Sequence, residues 1–187
     1  MNKIELRKHL KAKVDSISVE KKQEASKLIS QRLMSIASVS LAESIFTYLP
    51  LSDEVSLYPA IQLWIDESRT VGVPLISWED KSMHAGLLTN LSASALVETH
   101  HGIQEPKDRF PIPSESIDVI LVPGIGFDPI GGRLGRGGGF YDRFLEHSRP
   151  PVVIGVCFDE QITAKVPREE HDQLMTAVVT PTKLLLM

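Results

Sequence analysis

Asp118-Val-Ile-Leu-Val-Pro123 leads through a short connection into Gly131-Gly132-Arg133-Leu134-Gly135-Arg136-Gly137-Gly138-Gly139, and Phe140-Tyr141-Asp142-Arg143-Phe144-Leu145 follows at once. Six of the chain's twelve glycines fall within that glycine run. The order is an apolar strand, a glycine-dense loop with two arginines, then a helix start, and it suits an anion site. Glycine lets backbone N–H groups approach a ligand closely, and a helix N-terminus adds partial positive charge. Arg133 and Arg136 contribute planar, always-charged forks matched to phosphate or carboxylate. Asp142, just inside the helix, is placed to hold a magnesium ion against bound phosphates.

Two familiar phosphate loops are excluded by the residues themselves. A P-loop needs lysine and a hydroxyl residue after its last glycine, but Gly132-x4-Gly137 is followed by Gly138-Gly139. The dinucleotide fingerprint fails because Gly124-x-Gly126 meets Pro129, and Gly135-x-Gly137 meets Phe140, where the third glycine belongs. A flexible surface linker is the competing reading of any glycine cluster. Such linkers carry serine and polar filler, whereas this run carries arginines and precedes an amphipathic helix.

Working outward, 187 residues with 42% hydrophobic and 24% charged content describe one soluble globular domain spanning 1–187. The net charge of −4 argues against a nucleic-acid-binding chain. The single Cys157 lies in the apolar run Val152-Val-Ile-Gly-Val-Cys-Phe158, where it reads as a small buried hydrophobe rather than a catalytic thiol. Lone cysteine usage fits a reducing compartment. The N-terminus is charged and amphipathic, and no apolar run reaches spanning length. A cytoplasmic protein with no membrane partner, and a monomer, is therefore expected.

Leu6, Leu10 and Val14 recur at helical spacing and predict a helix over 3–15, with Asn2 and Glu5 as a capping pair. Ser18 caps a second helix with Ala25, Leu28, Ile29, Leu33 and Ile36 on its apolar face. Ser44–Leu49 reads as a strand ending at Pro50, and Leu57, Ile61, Trp64 and Ile65 mark a third helix. Val71–Ile76 is a strand that Pro74 assigns to an edge or an irregular end. Residues 77–113 are the least readable, with Pro106, Pro111 and Pro113 marking a loop. Asp118–Val122, Val152–Phe158 and Ala177–Thr180 complete the strands. Helices alternating with apolar strands indicate a layered α/β fold with a largely parallel sheet. In such sheets ligands gather beyond the carboxyl ends of strands, where the glycine run sits.

Other candidates stay open on pattern alone. Lys3 and Arg7 share one helix face, as solvated surface charges commonly do. Asp53 and Glu54, after a strand, suit either a grip on a polar ligand or a cap for the next helix. His171-Asp172 offers a carboxylate for a metal or a helix-initiating pair. His100-His101 lacks partners at metal-ligand spacing and reads as an exposed loop pair. No Gly-x-Ser-x-Gly elbow is present to support serine hydrolase chemistry.

Val122-Pro-Gly-Ile-Gly-Phe-Asp128 with Arg133-Leu-Gly-Arg-Gly-Gly-Gly-Phe-Tyr-Asp142 closely resembles the signature of the 5-formyltetrahydrofolate cyclo-ligase family. The likeness extends to Lys3–Arg7, Tyr48–Val55 and Val166–Asp172, in the family's order. It implies a three-layer α/β/α domain that uses ATP and magnesium to close 5-formyltetrahydrofolate into 5,10-methenyltetrahydrofolate, releasing ADP and phosphate. It implies that Lys3, Arg7 and the run Arg133, Leu134, Gly135, Arg136, Gly137, Gly138, Gly139, Phe140 and Tyr141 bind ATP. Leu49 and Glu54, with Arg136 through Phe140, match the family's substrate contacts. Arg136 and Tyr141 match catalytic positions, and Asp142 and Asp172 match magnesium-associated carboxylates. Two residues depart from the pattern: Gly138 stands where many members carry lysine, and Thr176 where a second carboxylate is common. A relative with the same ATP site but another substrate, and a folate carrier without ATP turnover, are the competing functions. An RNA-binding module lacks its aromatic stacking array.

Overall fold

The computed structural model describes residues 1–148 and 152–187. In chain order it contains α1 (Lys3–Asp15), α2 (Val19–Ser35), α3 (Ala37–Ser40), β1 (Ser44–Phe46), α4 (Tyr58–Asp66), β2 (Thr70–Ser77) and β3 (Ser82–Leu87). There follow β4 (Leu96–Glu98), β5 (Gln104–Pro106), β6 (Pro111–Ile112), β7 (Val119–Pro123), β8 (Gly126–Phe127), β9 (Arg133–Leu134), α5 (Phe140–Ser148), β10 (Val152–Val156), β11 (Ala177–Val179) and β12 (Leu184–Leu186). The expected cap of α1 forms in full: the Asn2 side chain accepts from the Ile4 and Glu5 amides while Glu5 accepts from the Asn2 amide.

Eight strands form one sheet in the order β12-β11-β10-β7-β1-β2-β3-β6. From β11 to β2 every pairing is parallel; β12 closes one edge and β3 with β6 the other, all antiparallel. Successive residues of β7 show how the layers arise. Val119 and Leu121 pack into a core with α2, α3 and α4, while Ile120 and Val122 pack into another with Phe144 and Leu145 of α5. A strand alternates its side chains, so an unbroken apolar run must be covered on both faces. The three-layer α/β/α arrangement follows. Helix α1 stands partly apart: Leu6 and Leu10 form a small core with Leu134 and Val166.

Several sequence expectations need correction. Pro74 lies in an interior strand, paired with Ala85 of β3. The Gly72 carbonyl accepts the Thr47 amide, and β1 has already ended at Phe46. The backbone alternates, so the position of the absent Pro74 N–H faces the side that β1 has vacated. The β1 strand thus stops short of Leu49, and the chain from Thr47 onward turns into the site. Leu28 is exposed, and the buried face of α2 is Ser26, Ile29, Ser30 and Leu33. The prolines of the middle segment do not mark a loop throughout: Pro106 ends β5, and Pro111 begins the edge strand β6, where a missing donor is tolerated.

Two positions give measurable consequences. Asp118 Oδ2 accepts from the Glu43 and Ser44 amides at 3.0 and 2.9 Å and from the Ser44 hydroxyl at 3.0 Å, fastening β1 beside β7. The Ser44 amide bond chiefly holds this carboxyl below the usual range, against a smaller opposing effect of desolvation. Its contribution is therefore complete at neutral pH and is lost as pH falls through the folded-state pKa. Asp118→Ala is expected to lower stability by about 1 kcal/mol at pH 7, with the difference vanishing in acid, as read by urea denaturation at both pH values. A Cβ on Gly155 would meet the Phe127 ring at 2.4 Å. Gly155→Ala should therefore cost about 1–3 kcal/mol by overpacking, measured in the same way.

Candidate active site

Beyond the carboxyl ends of β1, β2 and β7 lies a cleft of about 820 Å³. Its lining combines four cations, Lys3, Arg7, Arg133 and Arg136, with apolar side chains that include Leu49, Ile76, Trp78, Met83 and Phe140. Lys3, Arg7, Leu49, Glu54, the whole run Arg133–Tyr141, Asp142 and Asp172 all border it, although they come from four separate stretches of chain.

The glycine run is built from a buried carboxylate. Asp128 is fully buried, and its Oδ1 accepts from the Ile130 and Gly132 amides at 3.0 and 2.8 Å. Its Oδ2 accepts from the Val166 amide at 2.9 Å. These bonds close a tight β8–β9 hairpin that the sequence reading did not foresee, and Arg133 leaves it pointing inward. Its guanidinium lies 5.4 Å from the Tyr141 ring centroid and donates to Asp142 Oδ2 at 2.9 Å. Gly137 and Gly139 hold φ of 106° and 67°, a left-handed region that other residues occupy only with strain. The loop then enters α5 with its first-turn amides beside the cleft.

Each cation except Arg7 already has a carboxylate partner. Lys3 Nζ lies 2.7 Å from Asp172 Oδ2 and 3.0 Å from Glu169 Oε1. Arg136 Nη2 lies 2.6 Å from Asp53 Oδ1 and 3.0 Å from Glu54 Oε1. Arg7 Nε instead donates to the Gly135 carbonyl at 2.8 Å. The Lys3–Arg7 face is thus turned into the cleft rather than solvated. Glu54 Oε2 accepts the Leu51 amide, and α4 has Leu57 as its N-cap residue with no side-chain cap, so the capping role considered for Asp53 and Glu54 is not realised. Nor does Asp172 begin a helix; it lies in an irregular segment, accepting from Lys3 and the Glu169 amide.

Burial pushes the Glu54 carboxyl above the usual range, and Arg136 with the Leu51 amide pulls it back only in part. Burial also raises the Asp172 carboxyl, but Lys3 and the Glu169 amide outweigh it and hold it below the usual range. Burial, with the charge of Glu54, pushes the Tyr141 phenol far upward, so it stays a hydrogen-bond donor at ordinary pH. The Cys157 thiol is buried and likewise pushed up, consistent with a packing role.

The middle segment supplies a wall that sequence reading missed. Buried Glu105 pairs with Arg109 and accepts the Ile76 amide at 3.2 Å, holding the β4–β5 hairpin against β2. The hairpin tip brings His101 to 5.1 Å from Trp78, and Trp78 meets Phe140 edge-on at 5.1 Å. His100 and His101 are exposed, as expected, but they border an aromatic cluster. Trp78 and the adjacent pair of histidines were the available signal; nothing local linked them to the glycine run. Thr176, by contrast, bonds the Val153 backbone on β10 and does not border the cleft.

Loss of Arg136 would leave the Glu54 carboxylate with the Leu51 amide alone. The Glu54 pKa, already raised, should rise further. A raised carboxyl pKa means that stability falls as pH increases through the interval between unfolded and folded values. Arg136→Ala is expected to lose stability more steeply than the parent as pH rises above the ordinary glutamate range, as followed by denaturant titration.

Comparison with known proteins gives a consistent result. The 5-formyltetrahydrofolate cyclo-ligase of Escherichia coli K12 is 35% identical over 177 residues, spanning 90% of this chain and 94% of that protein. The mouse 5-formyltetrahydrofolate cyclo-ligase is 28% identical over 184 residues, spanning 93% and 91%. The NMR structure of Aquifex aeolicus 5,10-methenyltetrahydrofolate synthetase superposes with a TM-score of 0.86 at 28% identity, covering 100% of this chain and 93% of that one. A Mycoplasma pneumoniae 5,10-methenyltetrahydrofolate synthetase shares the fold at TM-score 0.78 and 21% identity, covering 97% and 99%. The model of the 5-formyltetrahydrofolate cyclo-ligase family matches residues 1–181, and with the glycine run, its flanking cations and the aromatic wall in one cleft, the chain belongs to that family.

Proposed function

We propose that this chain catalyses the ATP- and magnesium-dependent conversion of 5-formyltetrahydrofolate to 5,10-methenyltetrahydrofolate, releasing ADP and phosphate. The observation that carries the reading is one cleft lined both by a glycine loop with four cations and by an aromatic, apolar wall. A polyphosphate suits the glycine loop and its cations, and a flat heteroaromatic ring system suits the aromatic wall. Both ligands would then meet at Arg136–Phe140.

In this reaction the formyl oxygen attacks the γ-phosphorus, and the bond to the ADP oxygen breaks. N10 then attacks the activated formyl carbon and gives up its proton, and the carbon–oxygen bond breaks to release phosphate, which carries away the former formyl oxygen. The protein's task is positioning and charge neutralisation. Lys3, Arg7 and Arg133 hold the phosphate chain. Arg136 spans the junction between the ligands and faces the charge that shifts onto the transferring group. The protonated Tyr141 phenol donates within the junction. Glu54 and Leu49 orient the folate, and the wall of Trp78 and Phe140 excludes water from the activated carbon.

Magnesium is compatible with the donors present. Among the described residues no group of three or more His, Cys, Asp or Glu is positioned to hold a metal, whereas Asp142 and Asp172 both border the cleft. Magnesium commonly takes one or two carboxylates, with substrate phosphates and water completing the octahedron, so the set fits an ion brought in with the nucleotide. Its chemistry is neutralisation of charge on the phosphates. Phosphates drawing Lys3 and Arg133 toward themselves would free Asp172 and Asp142 as metal ligands.

The test is absorbance at the methenyl-folate band on mixing protein, 5-formyltetrahydrofolate, ATP and magnesium. Growth of the band only with ATP is expected. Folate binding without ATP consumption would mark a carrier instead, and ATP turnover with another formyl or carboxyl compound a different ligase. Arg136→Ala should lower kcat/KM by roughly 100-fold. Asp142→Asn should raise the magnesium concentration needed for half-maximal rate. Near-parental rates in both variants would remove these roles.

A further inference from the structure

Arg143, one turn into α5, belongs to none of the groups assigned above and does not border the cleft. Its contacts are nevertheless directed at the glycine run. Nη2 donates to the Gly138 carbonyl at 2.8 Å and to the Lys81 carbonyl at 2.7 Å, and Nε donates to Lys81 at 3.0 Å. The guanidinium lies 5.4 Å from the Phe140 ring centroid. Phe140 in turn is braced by Trp78. Lys81 sits at φ 57° in the turn joining β2 to β3. One side chain therefore ties three things together: the last residues of the glycine loop, the β2–β3 turn, and the aromatic residue that opens α5.

The neighbouring glycines are shaped around this arrangement. A Cβ on Gly139 would stand 2.7 Å from Arg143 Nη1, and one on Gly138 would stand 2.8 Å from the Phe140 ring. No carboxylate among the described residues pairs with Arg143, whereas Lys3, Arg133 and Arg136 are each neutralised. The Arg143 charge therefore remains available to the loop's surroundings. Position 138 has no room for a longer side chain while Phe140 keeps its place, and Arg143 brings a guanidinium to the same turn.

We propose that Arg143 is a positioning residue for the nucleotide: by clamping the Gly138 and Lys81 carbonyls it fixes the Gly137–Gly139 backbone in its phosphate-binding form and supplies an un-neutralised positive charge beside it. Holding a carbonyl from outside keeps the loop's amides free to face the cleft, which an unclamped triple-glycine turn would do only part of the time. The inference rests on the reading of this loop as the ATP site.

The experiment uses a non-hydrolysable ATP analogue with magnesium, and separately 5-formyltetrahydrofolate, each titrated into parent, Arg143→Ala and Arg143→Lys by calorimetry. Thermal unfolding is recorded for all three, and KM for ATP and for folate is measured. Loss of the clamp should weaken the analogue by roughly tenfold or more in Arg143→Ala, with folate weakened less than the analogue and the unfolding midpoint nearly unchanged. Arg143→Lys keeps the charge without the two-carbonyl fork, and partial recovery is expected. Analogue affinity unchanged in both variants, or analogue and folate weakened together with the unfolding midpoint, would overturn the inference while leaving the ATP site intact. A parent protein that binds no analogue would overturn both.

Discussion

The site depends on one buried carboxylate. Asp128 is fully enclosed and bonds three backbone amides, from Ile130, Gly132 and Val166. A buried carboxylate is costly unless its oxygens are satisfied, and here amides from two separated segments supply the donors. The result is a turn held from inside. Arg133 is directed inward by it, Phe127 is packed against Gly124 and Gly155, and the glycine run leaves in a fixed direction. Arg133 and Arg136 reach the cleft along that direction.

Helix α1 is the second support. Leu6 and Leu10 bury against Leu134 and Val166, and a Cβ on Gly126 would meet Leu10 at 2.2 Å. Close packing of helix on hairpin delivers Lys3 and Arg7 to the glycine run from more than a hundred residues away in sequence. The charges then balance locally: Lys3 with Asp172, Arg133 with Asp142, Arg136 with Asp53 and Glu54. Collecting cations without partners would cost stability through mutual repulsion. Pairing Lys3, Arg133 and Arg136 with carboxylates, and Arg7 with the Gly135 carbonyl, offsets that repulsion.

Much of the frame is legible from residue order. The capped amphipathic α1, the buried run of β7 and the alternation of helices with apolar strands are local patterns with one physical solution. The glycine run is equally local, because excess glycine beside arginines and a helix start has few uses other than close backbone approach to a ligand. The misread elements have local reasons too. Pro74 resembled an edge residue, yet it sits in an interior strand because the neighbouring strand ends before reaching it. Leu28 fits the helical period but lies at the margin of the stripe, where the small residues Ser26 and Ser30 take the contact.

The sequence by itself determined the layered α/β class, the glycine- and arginine-rich character of the 131–139 loop and the family resemblance, since each is carried by neighbouring residues and their spacing. Only the tertiary structure decided which carboxylate meets which cation, that Glu105 anchors a hairpin carrying His101 to Trp78, and that Arg143 reaches back to Gly138 and Lys81. Those pairings join residues whose separation along the chain carries no periodic signal. They are fixed by packing of the sheet, which alone brings the carboxyl ends of distant strands to one edge.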